Sequence, residues 1–178
     1  GVALPCTVLA SIILSMQVHA AHPRNPCLRW ACRLGSMLLW LPLLLSALHW
    51  LQPGRLPSQT LVLSAGASLL VAGLPLLVIG MQLEIVPFLA WIELRQRYPR
   101  GIRVPGVGSL LSPTHKQRLV LMHGAAALAA VIASIFPAAT RAAGALIMLA
   151  YVASWYRLAQ VWRDIRAFTP AQDRAILG

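Results

Sequence analysis

Glu84 is the costliest residue in this sequence. It lies inside an apolar stretch, about ten residues before the next basic cluster, which on a helix corresponds to ~15 Å of depth. A carboxylate at the centre of a bilayer costs about 2.5–3.5 kcal/mol. A residue of that cost faces protein or water, where it relays a proton, binds an ion, or cements helices as a protonated, hydrogen-bonded acid. Met81 and Gln82 precede it, and Phe88 follows one turn later.

The histidines form the second set. His19 and His22 are three apart, so one helix face could hold both. The topology derived below puts His19, His22, His123 and Glu93 at similar depth. Histidine with a carboxylate can bind a transition metal, and a single histidine can ligate haem. These four residues are therefore the candidate haem or copper ligands. His49 and His115 have no such company. Cys6, Cys27 and Cys32 are odd in number and show neither C-x-x-C nor C-x-x-C-H spacing, so no disulfide framework or covalent haem site is indicated. Gly106-Val107-Gly108 lacks the Lys-Ser/Thr end of a phosphate loop. There is no Gly-x-Ser-x-Gly elbow, no His-Glu-x-x-His and no zinc pattern, so no residue is assigned a catalytic role and enzyme status stays open.

What must position these residues is an all-α bundle. Of 178 residues, 58% are hydrophobic and 11% charged, and the mean hydropathy is +0.72. Soluble domains carry about 25% charged residues, so this chain could not cover a globule with polar groups. Five apolar runs approach the ~20 residues that a spanning helix needs. They cover residues 2–20, 34–51, 61–92, 119–137 and 142–161, followed by a polar tail, 169–178. The third starts near Gln59 and is too long for one upright span. With Pro75 and Pro87 inside it, the run reads as one tilted, kinked helix, or as two half-helices with a re-entrant break.

Gly66, Gly73, Gly80 and Pro87 recur every seven residues in that run. On a helix they fall along one stripe, where a second backbone can approach closely, so they are the expected helix-packing seam.

Charge sorts the connections. Arg24, Arg29 and Arg33 lie between runs one and two, and only Arg55 between two and three. Arg95, Arg97, Arg100, Arg103, Lys116 and Arg118 lie between three and four, only Arg141 between four and five, and Arg157, Arg163, Arg166 and Arg174 follow. Basic loops stay cytoplasmic, so the alternation predicts an outside N-terminus and a cytoplasmic C-terminus. Trp30, Trp50, Trp91, Tyr98, Tyr156 and Trp162 fall near run ends, as interfacial anchors do. The last helix is expected to continue as an amphipathic stretch through Phe168, with Arg163, Asp164 and Arg166 toward water. A formal charge of +11 raises nucleic acid as a partner. The basic residues sit between apolar runs instead of forming a soluble stripe, which excludes it. The partners expected are the lipid bilayer and further membrane helices. The chain starts with Gly and enters an apolar run with no basic leader, which predicts missing N-terminal helices and no signal peptide.

The stretch Gly80-Met81-Gln82-Leu83-Glu84-Ile85-Val86-Pro87-Phe88-Leu89-Ala90-Trp91, followed by the basic loop and Val104-Pro105, resembles the C-terminal half of bacterial multi-pass proteins related to haem–copper oxidase subunit I and to NnrS-type haem and copper membrane proteins. The resemblance covers Leu61 to Phe168 and is specific around Ile85 to Trp91. It implies an inner-membrane helix bundle linked to respiratory or nitrogen-oxide metabolism. Two departures stand out: Glu84 occupies a position where that pattern has a basic residue, and Glu93 lies near where it has a histidine. The resemblance therefore places no cofactor in this stretch. Two other expectations remain open, a transporter with a midplane site at Glu84 in a broken helix, and a non-catalytic accessory subunit.

Overall fold

The computed structural model describes residues 12, 13, 16, 26–51, 58–98 and 104–168. The first apolar run lies outside these residues, apart from Ile12, Ile13 and Met16, which are helical. His19, His22 and the tail 169–178 also lie outside them.

The described chain is all helical. Helix α1 spans Pro26–Leu51, α2 Ser58–Gly66, and a π-helical segment Ala67–Gly73 leads into α3, Leu74–Arg97. A single-turn helix α4, Val107–Leu110, precedes α5, Pro113–Ile135, and a 3-10 turn Pro137–Ala139 opens α6, Thr140–Ala167. Four helical stretches among the described residues, Pro26–His49, Val62–Arg97, Pro113–Ile135 and Pro137–Ala167, are long and apolar enough to cross a membrane.

The helix starts have local causes. Pro26 and Pro113 each open a helix, where the missing N–H is no loss and the fixed φ is already helical. Ser112 caps α5 by accepting from the His115 backbone N–H. Helix α1 begins well before Leu34, the start of its apolar run, so Arg29 and Arg33 lie on its first turns and not in a loop. Long arginine side chains can reach out from a helix end to water, so charge there does not stop the helix.

The third run is continuous helix, with neither a re-entrant break nor unwinding at Pro75 or Pro87. Pro75 lacks an N–H, and its ring crowds the carbonyl one turn back. The widened turn absorbs this: the Leu74 N–H bonds to the Leu69 carbonyl, five residues earlier, and helical backbone carries straight on. Pro87 is accommodated inside α3 and is fully buried.

Helix α3 is the centre of the bundle, packed by α1, α5 and α6, and α5 and α6 pack along each other. The main core joins Ala31, Ile79, Leu83, Ala90, Leu94, Leu119, Val120, Leu158, Val161 and Ile165. Tight approach depends on small residues. A Cβ at Gly80 would lie 2.6 Å from the Ala31 Cβ, one at Gly73 2.8 Å from Leu39 Cδ2, and one at Gly35 2.7 Å from Leu77 Cγ. The outer surface is apolar, with Leu44, Val62, Leu70, Leu128, Met148 and Val152 exposed.

Four helix ends meet at one end of the bundle. The Cys27 thiol donates to the Pro113 carbonyl at 3.5 Å, joining the starts of α1 and α5. The Tyr98 hydroxyl donates to the Phe168 carbonyl at 2.9 Å, and the two rings meet edge to face, joining the ends of α3 and α6. Arg29, Arg33, Arg95, Arg97, Arg118, Arg163 and Arg166 all belong to these ends. Of the described arginines, only Arg141 belongs to the opposite end.

The glycines separate by environment. Ala31 is completely buried and its Cβ cannot swing away. Gly80→Ala is expected to destabilise the bundle by about 1–3 kcal/mol through overpacking. Gly66, with nothing within 4 Å of an added Cβ, is expected to accept Ala with no loss, or with a gain of up to about 1 kcal/mol from helix propensity. Thermal unfolding in detergent, followed by circular dichroism, checks the contrast; equal losses at both positions would contradict it.

Candidate functional site

Glu84 lies near the middle of α3. Its partner is Lys116, whose ammonium donates to Oε1 at 2.8 Å and to Oε2 at 2.9 Å. Lys116 sits in the opening turns of α5, where its backbone N–H makes a first helical bond to the Ser112 carbonyl. Its side chain turns inward and is buried, with 9% of the side chain exposed against 24% for Glu84. The carboxylate thus faces the ammonium that Lys116 carries in from the opening turns of α5. Two charges become one neutral pair, and the cost of a lone carboxylate in an apolar bundle is largely removed.

Lys116 counts among the loop charges in the sequence, whereas the fold makes it an interior residue. A signal for this was present: it is the only lysine, beside fourteen arginines. Lysine is a compact point charge on a flexible stem and can fold back over a carboxylate where a rigid guanidinium fork would need more room. The pair also supplies Glu84 with its partner from within the chain, where the sequence left open a proton relay, an ion site or a hydrogen-bonded acid.

His123 lies on α5 and is buried. Its Nε2 is 2.8 Å from the Ser154 hydroxyl, and its ring meets Tyr151 edge to face at 5.0 Å. Ser154 and Tyr151 are three apart on α6, so one helical face supplies both contacts. That spacing was visible in the sequence but could not be matched to His123 without the α5–α6 packing.

Glu93 does not join His123. It pairs with Arg97, one turn along the exposed side of α3. No group of three or more His, Cys, Asp or Glu among the described residues converges in a way that could hold a metal. The ring nitrogen of His123 that faces α6 is engaged by a hydroxyl, and Glu93 is engaged by a guanidinium. Of the candidate haem or copper set, the described pair His123 and Glu93 therefore does not come together, and His19 and His22 lie outside the described residues.

The packing candidates divide. Gly73 and Gly80 lie against α1, and Pro87 is buried within the bundle. Gly66 instead lines an open apolar groove between α2, α5 and α6. The seven residues from Ala67 to Gly73 are π-helical and make fewer turns than seven α-helical ones. This rotates Gly66 away from the stripe that regular periodicity predicts.

Comparison of the chain with protein-family models, with curated proteins and with solved structures finds no match.

The pair predicts a specific non-additivity. Glu84→Gln alone, or Lys116→Met alone, leaves one buried charge without its partner and is expected to cost about 3 kcal/mol, the lower end of the range because Glu84 is part-exposed. The double variant is expected to recover most of that loss, and the charge swap Glu84→Lys with Lys116→Glu to recover part. Unfolding midpoints of the four proteins in detergent give the coupling. Two single losses that simply add in the double variant would show that the groups do not interact.

Proposed function

We propose that the chain is an integral, multi-pass protein of the bacterial inner membrane, with its basic end cytoplasmic. In this proposal it serves as the scaffold part of a haem–copper-like or NnrS-like protein linked to respiratory or nitrogen-oxide metabolism. Support for a scaffold role comes chiefly from the position of the resembling stretch. Ile85 to Trp91 belongs to α3, the helix that α1, α5 and α6 pack around, and Pro87 and Ala90 within it are buried. The likeness thus includes two residues that pack helices together, while Ile85, Phe88 and Leu89 face outward. Any redox cofactor would be ligated by helices outside the described residues.

The convergence of four basic helix ends supports the orientation, because arginines remain on the cytoplasmic side of a membrane. A transporter site would draw on an unwound segment beside Glu84, and Ser58–Arg97 is helical throughout. The accessory-subunit alternative shares every structural feature with the scaffold role and differs only in lacking a cofactor-bearing partner region.

Absorption spectroscopy and metal analysis of the full-length protein in detergent test the proposal. The expected result is bound haem, with a Soret band near about 400 nm, retained in both His123→Gln and Glu84→Gln. A Soret band lost in a folded His123→Gln protein would make His123 a ligand and overturn the scaffold role. Absence of haem and copper from the wild-type protein would favour the accessory subunit.

A further inference from the structure

A groove of about 480 Å³ opens between α3 and α6 at the basic end of the bundle. Val86 and the buried Leu158 form its apolar floor, and Trp155 and Trp162 line it further. Arg163 and Arg166 complete the lining in the last two turns of α6, where the helix reaches the basic end. Gln82 contributes an uncharged amide deeper in. Trp155 is 68% exposed, so the groove faces outward, away from the core.

Among the described residues no carboxylate is within ion-pair distance of Arg163 or Arg166, and Asp164, their neighbour on α6, is exposed and does not line the groove. Glu84 is taken by Lys116 and Glu93 by Arg97, and neither Arg163 nor Arg166 is in an ion pair. The Arg163 guanidinium lies 5.7 Å from the centre of the Tyr156 ring, which holds it without neutralising it. An apolar floor, two indoles and two unneutralised guanidiniums at one helix end match one kind of molecule. Its acyl chain would lie along Val86, Trp155 and Leu158, and its phosphate would face the arginines.

We infer that this groove binds an anionic phospholipid, its headgroup phosphate on Arg163 and Arg166 and an acyl chain along the α3–α6 floor. The site rests on the membrane reading above. A partner helix seated here would need carboxylates at the depth of the arginines, and a soluble phosphate would leave the apolar floor uncovered.

Quenching of tryptophan fluorescence by brominated lipid reads the site directly. The purified protein is placed in nanodiscs of phosphatidylcholine containing a titrated fraction of either dibrominated phosphatidylglycerol or dibrominated phosphatidylcholine. Quenching by the anionic lipid is expected at about tenfold lower fraction. The preference is expected to vanish in Arg163→Gln/Arg166→Gln and to persist in Arg141→Gln, at the opposite end. Trp155→Phe/Trp162→Phe is expected to remove most of the preferential signal. Circular dichroism confirms that each variant is folded. Equal quenching by the two lipids, or a preference that survives the double arginine variant, overturns the inference while leaving the membrane reading intact. Relief of quenching by millimolar inorganic phosphate would mark a phosphate site and overturn the lipid assignment. A protein that stays in solution without detergent and enters no nanodisc would sink the membrane reading itself.

Discussion

An unpaired charge is intolerable in a thin apolar bundle, and the structure is arranged around that constraint. The helices carry few charges along their length: most described arginines lie at one end, Arg157 within α6 donates to the Gln160 amide oxygen, and the buried carboxylate is neutralised in place. Glu84 and Lys116 are the neutralised case. Their contact joins α3 to α5 at a fixed height, because an ammonium that bridges both carboxylate oxygens permits little sliding. Apolar contacts between Ala, Leu and Val would allow several registers of similar energy; a buried pair of this kind selects one.

The second constraint is closeness. In lipid there is little hydrophobic drive between helices, so association depends on packing and on small residues at the seams. Gly35, Gly73 and Gly80 bring α1 and the central helix near enough for direct backbone approach. The π-helical segment between α2 and α3 serves the same end, since it lets a proline-bearing helix run on without a break and sets the angular phase at which Gly73 and Gly80 meet α1. His123, Ser154 and Tyr151 join α5 to α6 by a polar contact, and Tyr98 ties the end of α3 to the end of α6. The Tyr98 contact lies at the basic end, and the His123 contact lies near the middle of α5 and α6.

Much of this was readable from the residues. Runs without charge marked the middles of the helices, because hydrocarbon admits little else, and the alternation of arginine-rich and arginine-poor connections foreshadowed the gathering of four ends. Boundaries were harder to read. Arg29, Arg33 and Lys116 looked like loop residues, yet a long cationic side chain can leave a helix toward water or turn inward to a carboxylate, and a hydropathy profile cannot tell the two apart. The seam was partly legible. Heptad spacing assumes an unbroken α-helix, and seven π-helical residues take Gly66 out of phase with Gly73. The proposed metal set was grouped by depth alone. Depth carries no information about which way a side chain faces, and Glu93 and His123 turn to different partners.

Side-specific labelling tests the central claim, that one bundle end gathers the basic residues and stays on one face of a bilayer. In a background with Cys6, Cys27 and Cys32 changed to Ala, single cysteines replace Arg95, Arg166 and Arg141 in turn. An impermeant maleimide is then applied to sealed right-side-out and inverted vesicles. The account predicts that Arg95→Cys and Arg166→Cys react only in inverted vesicles and Arg141→Cys only in right-side-out ones. Labelling of Arg95→Cys and Arg141→Cys from the same side would contradict it.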